Sequence, residues 1–75
     1  MAPDGIRNLI RAVPFRPFTV ELGSGKRIFV QRSDYVSLSP AGRTLVVQDN
    51  EENMEIIEVF LITHVSVEGA DPAEV

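Results

Sequence analysis

The spacing of apolar residues changes once along the chain, from a helical period to a strand period. Near the N-terminus, four apolar residues follow the i, i+3, i+4, i+7 spacing of an amphipathic helix: Ile6, Leu9, Ile10 and Val13. Asp4 can cap the start of this helix, and Pro14 disfavours helical backbone at the residue before it. The pattern predicts a helix over about residues 4–13. A helix this short must pack its apolar face on the rest of the chain to be stable.

A proline-rich connector, Pro14-Phe15-Arg16-Pro17-Phe18, follows the helix. Its two prolines favour extended backbone, and a PxxP ligand for an aromatic groove has the same minimal spacing. Because the segment joins two ordered elements, we expect a structural role in which Phe15 and Phe18 enter the core.

From about residue 18 to residue 68 apolar and polar residues alternate, which is typical of half-buried strands. The pattern predicts five antiparallel strands. The second runs from about 27 to 38 with a bend at Ser33-Asp34, and the fourth runs from Met54 to Phe60 with apolar residues on both faces. Residues 61–63 are a short link, the fifth strand covers about 64–68, and the tail 69–75 is expected to fray.

These elements predict a single domain over residues 1–75 that is mainly β with one N-terminal helix. The simplest closure is a small, strongly bent, five-stranded antiparallel barrel whose long second strand serves both halves of the sheet. The alternative is an open antiparallel sheet with the helix on one face.

Two resemblances accompany this pattern. The element order resembles the Sm-like (SH3-type) small β-barrel, from Phe18-Thr-Val-Glu-Leu22 through a glycine hairpin and a long strand to Leu61-Ile-Thr-His-Val-Ser-Val67. Separately, Arg11-Ala-Val-Pro-Phe-Arg-Pro-Phe18 resembles the PFxPF signature of an uncharacterised family of short bacterial proteins.

The Sm-like resemblance implies rings in which the fourth strand of one subunit pairs with the fifth strand of the next, often around RNA. The chain departs from that pattern at two places. Val30 and its neighbours stand where a mid-strand glycine is usual, and Tyr35-Val36-Ser37 lacks the usual Asn-bearing segment. No nucleotide-binding residue is therefore transferred from the resemblance.

Composition narrows the class of protein. The chain has 75 residues and no Cys, which excludes disulfides and thiolate metal sites. No apolar run approaches the roughly 20 residues of a membrane span, and no signal-peptide pattern opens the chain. We expect a cytoplasmic protein that is not associated with membranes.

Charge is distributed unevenly along the sequence. The formal net charge of −4 combines about +4 over residues 1–32 with about −8 over residues 33–75. An acidic molecule is repelled by nucleic acid at long range, which disfavours RNA as a partner and argues against DNA. The asymmetry is explained either by solubility or by a basic edge of one subunit that meets an acidic edge of the next.

The sequence contains few residues that could support catalysis, phosphate binding or metal binding. His64, the one histidine, shares the outward face of its predicted strand with Ser66 and Glu68, an arrangement common on ordinary surfaces. Gly25-Lys26 lacks the other residues of a phosphate loop, and the acidic loop 49–53 lacks the spacing of a calcium loop. We therefore expect no enzyme activity, no cofactor and no metal site.

Two surfaces remain as candidates for interactions. The partner is expected to be a second copy of this chain or another protein, with RNA as the alternative partner. A candidate binding surface of cations and one outward aromatic comprises Arg7, Arg11, Arg16, Lys26, Arg27 and Phe29. A candidate oligomer edge comprises Met54, Ile56, Ile57, Val59, Val65 and Val67.

Overall fold

The computed structural model describes residues 3–68 and is mainly β with one helix. The predicted fraying of residues 69–75 concerns a segment outside the described residues. In chain order the elements are α1 (Pro3–Arg11), β1 (Phe18–Leu22), β2 (Arg27–Val30), β3 (Val36–Leu38), β4 (Thr44–Gln48), β5 (Met54–Glu58) and β6 (Ile62–Val67). Two short 3-10 turns, Ser33–Tyr35 and Val59–Leu61, separate β2 from β3 and β5 from β6.

The helix ends earlier than predicted. It stops at Arg11, and the side chain of Val13 is 94% exposed, so the assignment of Val13 to the buried stripe was wrong. Pro14 disfavours helical backbone at Val13, and the helix ends two residues before Val13, at Arg11. The remaining stripe packs as expected, with Ile6 buried and Leu9 and Ile10 partly buried against the core.

The strands form two three-stranded antiparallel sheets. Sheet A has the order β2-β1-β6, and sheet B has the order β3-β4-β5. The prediction of five strands with one long second strand was wrong, because the turn at Ser33–Tyr35 divides that segment into β2 and β3, which belong to different sheets. Among the described residues, strand pairing does not join the two sheets into a closed barrel or into a single open sheet.

The boundary between the last two strands also differs from the prediction. Residues 59–61 form a 3-10 turn, and β6 already begins at Ile62, which is buried. A bulge in the pairing of β1 with β6, between Glu21 and Leu22, shifts the register at this point. A bulge changes which residues oppose each other, and a strict two-residue period does not reveal it.

The inward faces of both sheets and one side of α1 share a single apolar core. Its buried members are Ile6, Phe18, Val20, Ile28, Val30, Val36, Leu45, Val47, Ile57, Val59 and Ile62. Phe15 packs partly buried against Phe18, with ring centroids 5.9 Å apart and the rings tilted by 56°. Within residues 3–68 no helix is long and apolar enough to span a membrane.

Candidate interaction surfaces

Within residues 3–68, the outer edge of β5 carries backbone groups with no partner strand. Val59 N–H donates to the Arg43 carbonyl (2.8 Å), and Asp49 N–H donates to the Asn53 carbonyl (3.1 Å) at the other end of the hairpin. Antiparallel pairs alternate between bonded and non-bonded, so Glu55 and Ile57 direct their backbone groups toward β4. The intervening residues Met54, Ile56 and Glu58 therefore direct theirs outward.

The outer edge of β6 follows the same logic. Glu68 N–H donates to the Pro17 carbonyl (2.7 Å), which fixes the alternation along the pairing of β6 with β1. Ser66 and His64 accordingly bond toward β1, and Val65 and Val67 direct their backbone groups away from it. Both strands lie at the ends of their sheets in the part of the chain that the structure describes.

The residues of the predicted oligomer edge divide by face. Ile57 and Val59 point inward and are buried, whereas Met54 and Ile56 point outward and are exposed, Ile56 by 68%. Val65 and Val67 are partly buried on the core side of sheet A. After β5, the turn exposes Phe60 by 73% and Leu61 by 47%, which extends the exposed apolar surface beyond the strand.

A groove of about 520 Å³ lies between the outer edge of β2 and the β4–β5 hairpin. Two side-chain contacts cross it. The Lys26 ammonium donates to both carboxylate oxygens of Glu55, at 2.9 and 3.2 Å, and the Asn50 amide donates to the Gln31 side chain at 3.3 Å. Tyr35 and the buried Val47 also line the groove.

Only part of the predicted basic surface lines this groove. Lys26, Arg27 and Phe29 do, and the Phe29 side chain is 50% exposed. Arg7 lies on α1, where it bonds to Asp4 at 3.1 Å and reaches the Pro40 carbonyl at 3.5 Å.

The other two members of that set lie apart from the groove. Arg11 is the last residue of α1, and Arg16 lies in the connector; both are exposed. Arg27, which does line the groove, also lies 3.8 Å from a carboxylate oxygen of Glu21. The groove residues Gln31 and Glu55 were not predicted. The contact between Lys26 and Glu55 joins positions 29 residues apart, which only the fold brings together.

His64 lies on the exposed outer face of sheet A. Its Nε2 is 3.0 Å from Ser66 Oγ, and Glu21 stands opposite it in the register of β1 and β6. A small cavity of about 190 Å³ lies on this face; Thr19 and Arg27 line it together with His64, Ser66 and Glu21. The His64–Ser66 pair is exposed to water, where such hydrogen bonds contribute little to stability.

Throughout residues 3–68 no three His, Cys, Asp or Glu side chains are grouped to hold a metal ion.

The acidic loop after β4 satisfies its own backbone. Asp49 Oδ1 accepts hydrogen bonds from the Glu51 and Asn53 N–H groups at 2.8 and 2.9 Å, and Oδ2 accepts one from the Asn53 amide at 3.0 Å. These bonds, with the Asn53 side chain as the largest contributor, hold the pKa of Asp49 below its ordinary value of 3.8. The loop geometry is that of a capped turn, with Glu52 at a φ of +67°.

The chain was compared with protein-family models, with curated proteins and with solved structures. None of them matches.

Proposed function

We propose that this chain is a non-enzymatic interaction module that self-associates head-to-tail by pairing the β5 edge of one copy with the β6 edge of the next. The observation that carries the proposal is the outward row of backbone donors and acceptors at Met54, Ile56 and Glu58. An uncovered strand edge of this kind is a template for pairing with another chain.

Side-chain parity supports the pairing of these two edges. In an antiparallel ladder, residues that bond to each other carry their side chains on the same face. Outward-bonding residues of β5 can pair only with outward-bonding residues of β6, in any antiparallel register. Met54 and Ile56, which are exposed, would thus lie beside Val65 and Val67, which are only partly buried. Association would bring these apolar side chains into contact across the new strand pair.

The two edges differ from each other, so the contact is heterologous and propagates into a ring or a filament. In this assembly the two sheets would act as the halves of a bent, open, Sm-like barrel. What supports it is connectivity, since single 3-10 turns link β2 to β3 and β5 to β6. The strands that the Sm-like resemblance pairs between subunits correspond to β5 and β6.

The test is solution mass by light scattering, with Ile56→Pro and Val65→Pro as the principal variants. Each proline removes one outward N–H while leaving the bonds to β4 or β1 in place, which edge strands tolerate. We expect the wild type to exceed the 8.3 kDa of one chain and each variant alone to be monomeric. An equimolar mixture should form a 1:1 dimer, because each variant keeps the edge that the other lacks.

Two further measurements sharpen the result. Ile56→Thr keeps the edge N–H and removes apolar surface, so it should weaken association by about tenfold without abolishing it. Circular dichroism should show that both proline variants remain folded. A wild type that is monomeric at every concentration would remove the proposal. Salt-sensitive binding of an oligouridine through Arg11 and Lys26 would instead favour the RNA alternative.

A further inference from the structure

Among the described residues, the outer edge of β2 is a third unpaired edge, distinct from the edges of β5 and β6 used above. Leu22 N–H donates to the Lys26 carbonyl at 2.9 Å, which sets the alternation along the pairing of β1 with β2. Ile28 therefore bonds toward β1, and Arg27 and Phe29 direct their backbone groups into the groove. Within the described chain β2 is the terminal strand of sheet A, and no hydrogen bond reaches these groups.

The groove has the length and lining of a site for a short extended segment. Side chains bridge the groove at Lys26 and Gln31, which flank β2; five extended residue steps separate them, a length of about 17 Å. A strand added here would place alternate side chains beside the half-exposed Phe29 and over the nearly buried Ile28 and Val47. Both positions favour apolar side chains in the ligand.

Charge determines the chemistry at one end of the groove. Lys26 and Arg27 are adjacent there, and the Arg27 side chain is 72% exposed with a single ionic contact at 3.8 Å. The Lys26 ammonium already forms an ion pair with the Glu55 carboxylate of the same chain. That contact is about half exposed, and exposed ion pairs contribute roughly 0–1 kcal/mol, so an incoming carboxylate can replace Glu55 at little cost.

We propose that this groove binds an extended peptide of another protein by β-augmentation on β2, with apolar residues along its length and carboxylate side chains at the end beside Lys26 and Arg27. Backbone bonds to Arg27 and Phe29 hold the peptide, and the two cations orient it. Glu55 acts as an internal competitor for the acidic end. The proposal does not depend on self-association, because it uses neither β5 nor β6 edge groups.

The probe is the peptide TVYVED-NH2 with fluorescein on its N-terminus in place of the acetyl group, titrated by fluorescence anisotropy; the two control peptides carry the same label for this measurement. We expect binding with a Kd below about 1 mM, the range of a short β-augmenting peptide. The control Ac-TVYVKR-NH2 reverses the charged end and should bind at least fivefold more weakly. The control Ac-TVPVED-NH2 removes a central backbone donor and should show no measurable binding.

Variants of the protein separate the contributions. Glu55→Gln frees Lys26 and should tighten binding of the acidic peptide two- to fivefold, a gain that damage to the fold would not produce. Lys26→Gln combined with Arg27→Gln should weaken binding at least fivefold. Arg11→Gln combined with Arg16→Gln, an equal loss of two positive charges apart from the groove, should change it less than twofold.

Amide chemical shifts locate the peptide. The largest changes on addition of Ac-TVYVED-NH2 should fall on Arg27 and Phe29. Changes confined to Met54 and Ile56, equal binding of the basic control, or no binding at about 1 mM would overturn the proposal. Displacement of the peptide by an oligouridine would also overturn it and would assign the groove to nucleic acid. Concentration-dependent protection of the Arg27 and Phe29 amides without peptide would assign the groove to a second copy of the chain.

Discussion

The two sheets cover the same core but present different surfaces to solvent. The outer face of sheet A is polar along β1 and β6, where Thr19 and Glu21 lie beside Ser66 and His64, and its half-exposed Phe29 lies on β2 opposite Thr19. The outer face of sheet B has an apolar pair at its centre, because Val46 stands directly opposite Ile56. Exposed apolar surface indicates where a further chain would pack. Because Met54 and Ile56 add to it on sheet B, we expect self-association there, at the edge strand β5.

Neighbouring isoleucines of β5 give the sharpest test of this difference. Ile57 is 4% exposed and Ile56 is 68% exposed, so the same truncation samples the core and the outer face. We expect Ile57→Ala to lower the free energy of unfolding by about 2–5 kcal/mol and Ile56→Ala by less than about 1 kcal/mol. Urea unfolding of dilute samples measures both. Comparable losses at the two positions would mean that the outer face is already covered.

The two hairpin turns of sheet B differ in how they accommodate left-handed backbone. Gly42 has a φ of +75°, and its N–H donates to the Ser39 carbonyl at 2.8 Å, whereas Glu52 adopts a φ of +67° with a side chain. We expect Gly42→Ala to destabilise the protein by about 1 kcal/mol and Glu52→Gly to stabilise it by several tenths of a kcal/mol. Thermal unfolding should resolve the opposite signs; shifts of the same sign would contradict this account.

The smallest effect is expected from the acidic loop and depends on pH. The pKa of Asp49 is lower in the folded chain than its ordinary value of 3.8, so its contribution is complete above that value and is lost as pH falls through the folded pKa. The difference in unfolding free energy between wild type and Asp49→Asn should therefore narrow from neutral pH to about pH 2. Asn53→Ala removes the side-chain hydrogen bond that lowers the pKa of Asp49 most, so it should reduce the pH dependence of this difference. A constant difference would show that the charge of Asp49 has no role.

Local pattern was sufficient for most of the core. Phe18, Val20, Ile28 and Val30 are buried as their alternation predicts, because each lies in a regular antiparallel segment. The pattern failed where apolar residues are continuous. Residues 59–62 are compatible with a strand extending through Phe60, and only the tertiary structure turns them into a 3-10 turn followed by a new strand.

The division of β2 from β3 and the groove beside β2 depend on how the sheets meet. Ser33-Asp34 was recognised as an interruption, but a bend within one strand and a turn between two sheets have the same local signature. The contact between Lys26 and Glu55 depends on the separation of β2 from the β4–β5 hairpin, which no sequence period encodes. The groove could therefore not be predicted from the sequence.

The pairing of β1 with β6 determines the order in which the protein can be completed during synthesis. Phe18 lies opposite Val67, whereas β3, β4 and β5 are joined by short hairpins. Local pairs form before distant ones because they close shorter loops. On the ribosome, sheet B can assemble while β1 still has one side bare, and that side is filled only after residue 67 has left the exit tunnel. Until then the unpaired side of β1 is an exposed strand edge, which favours aggregation.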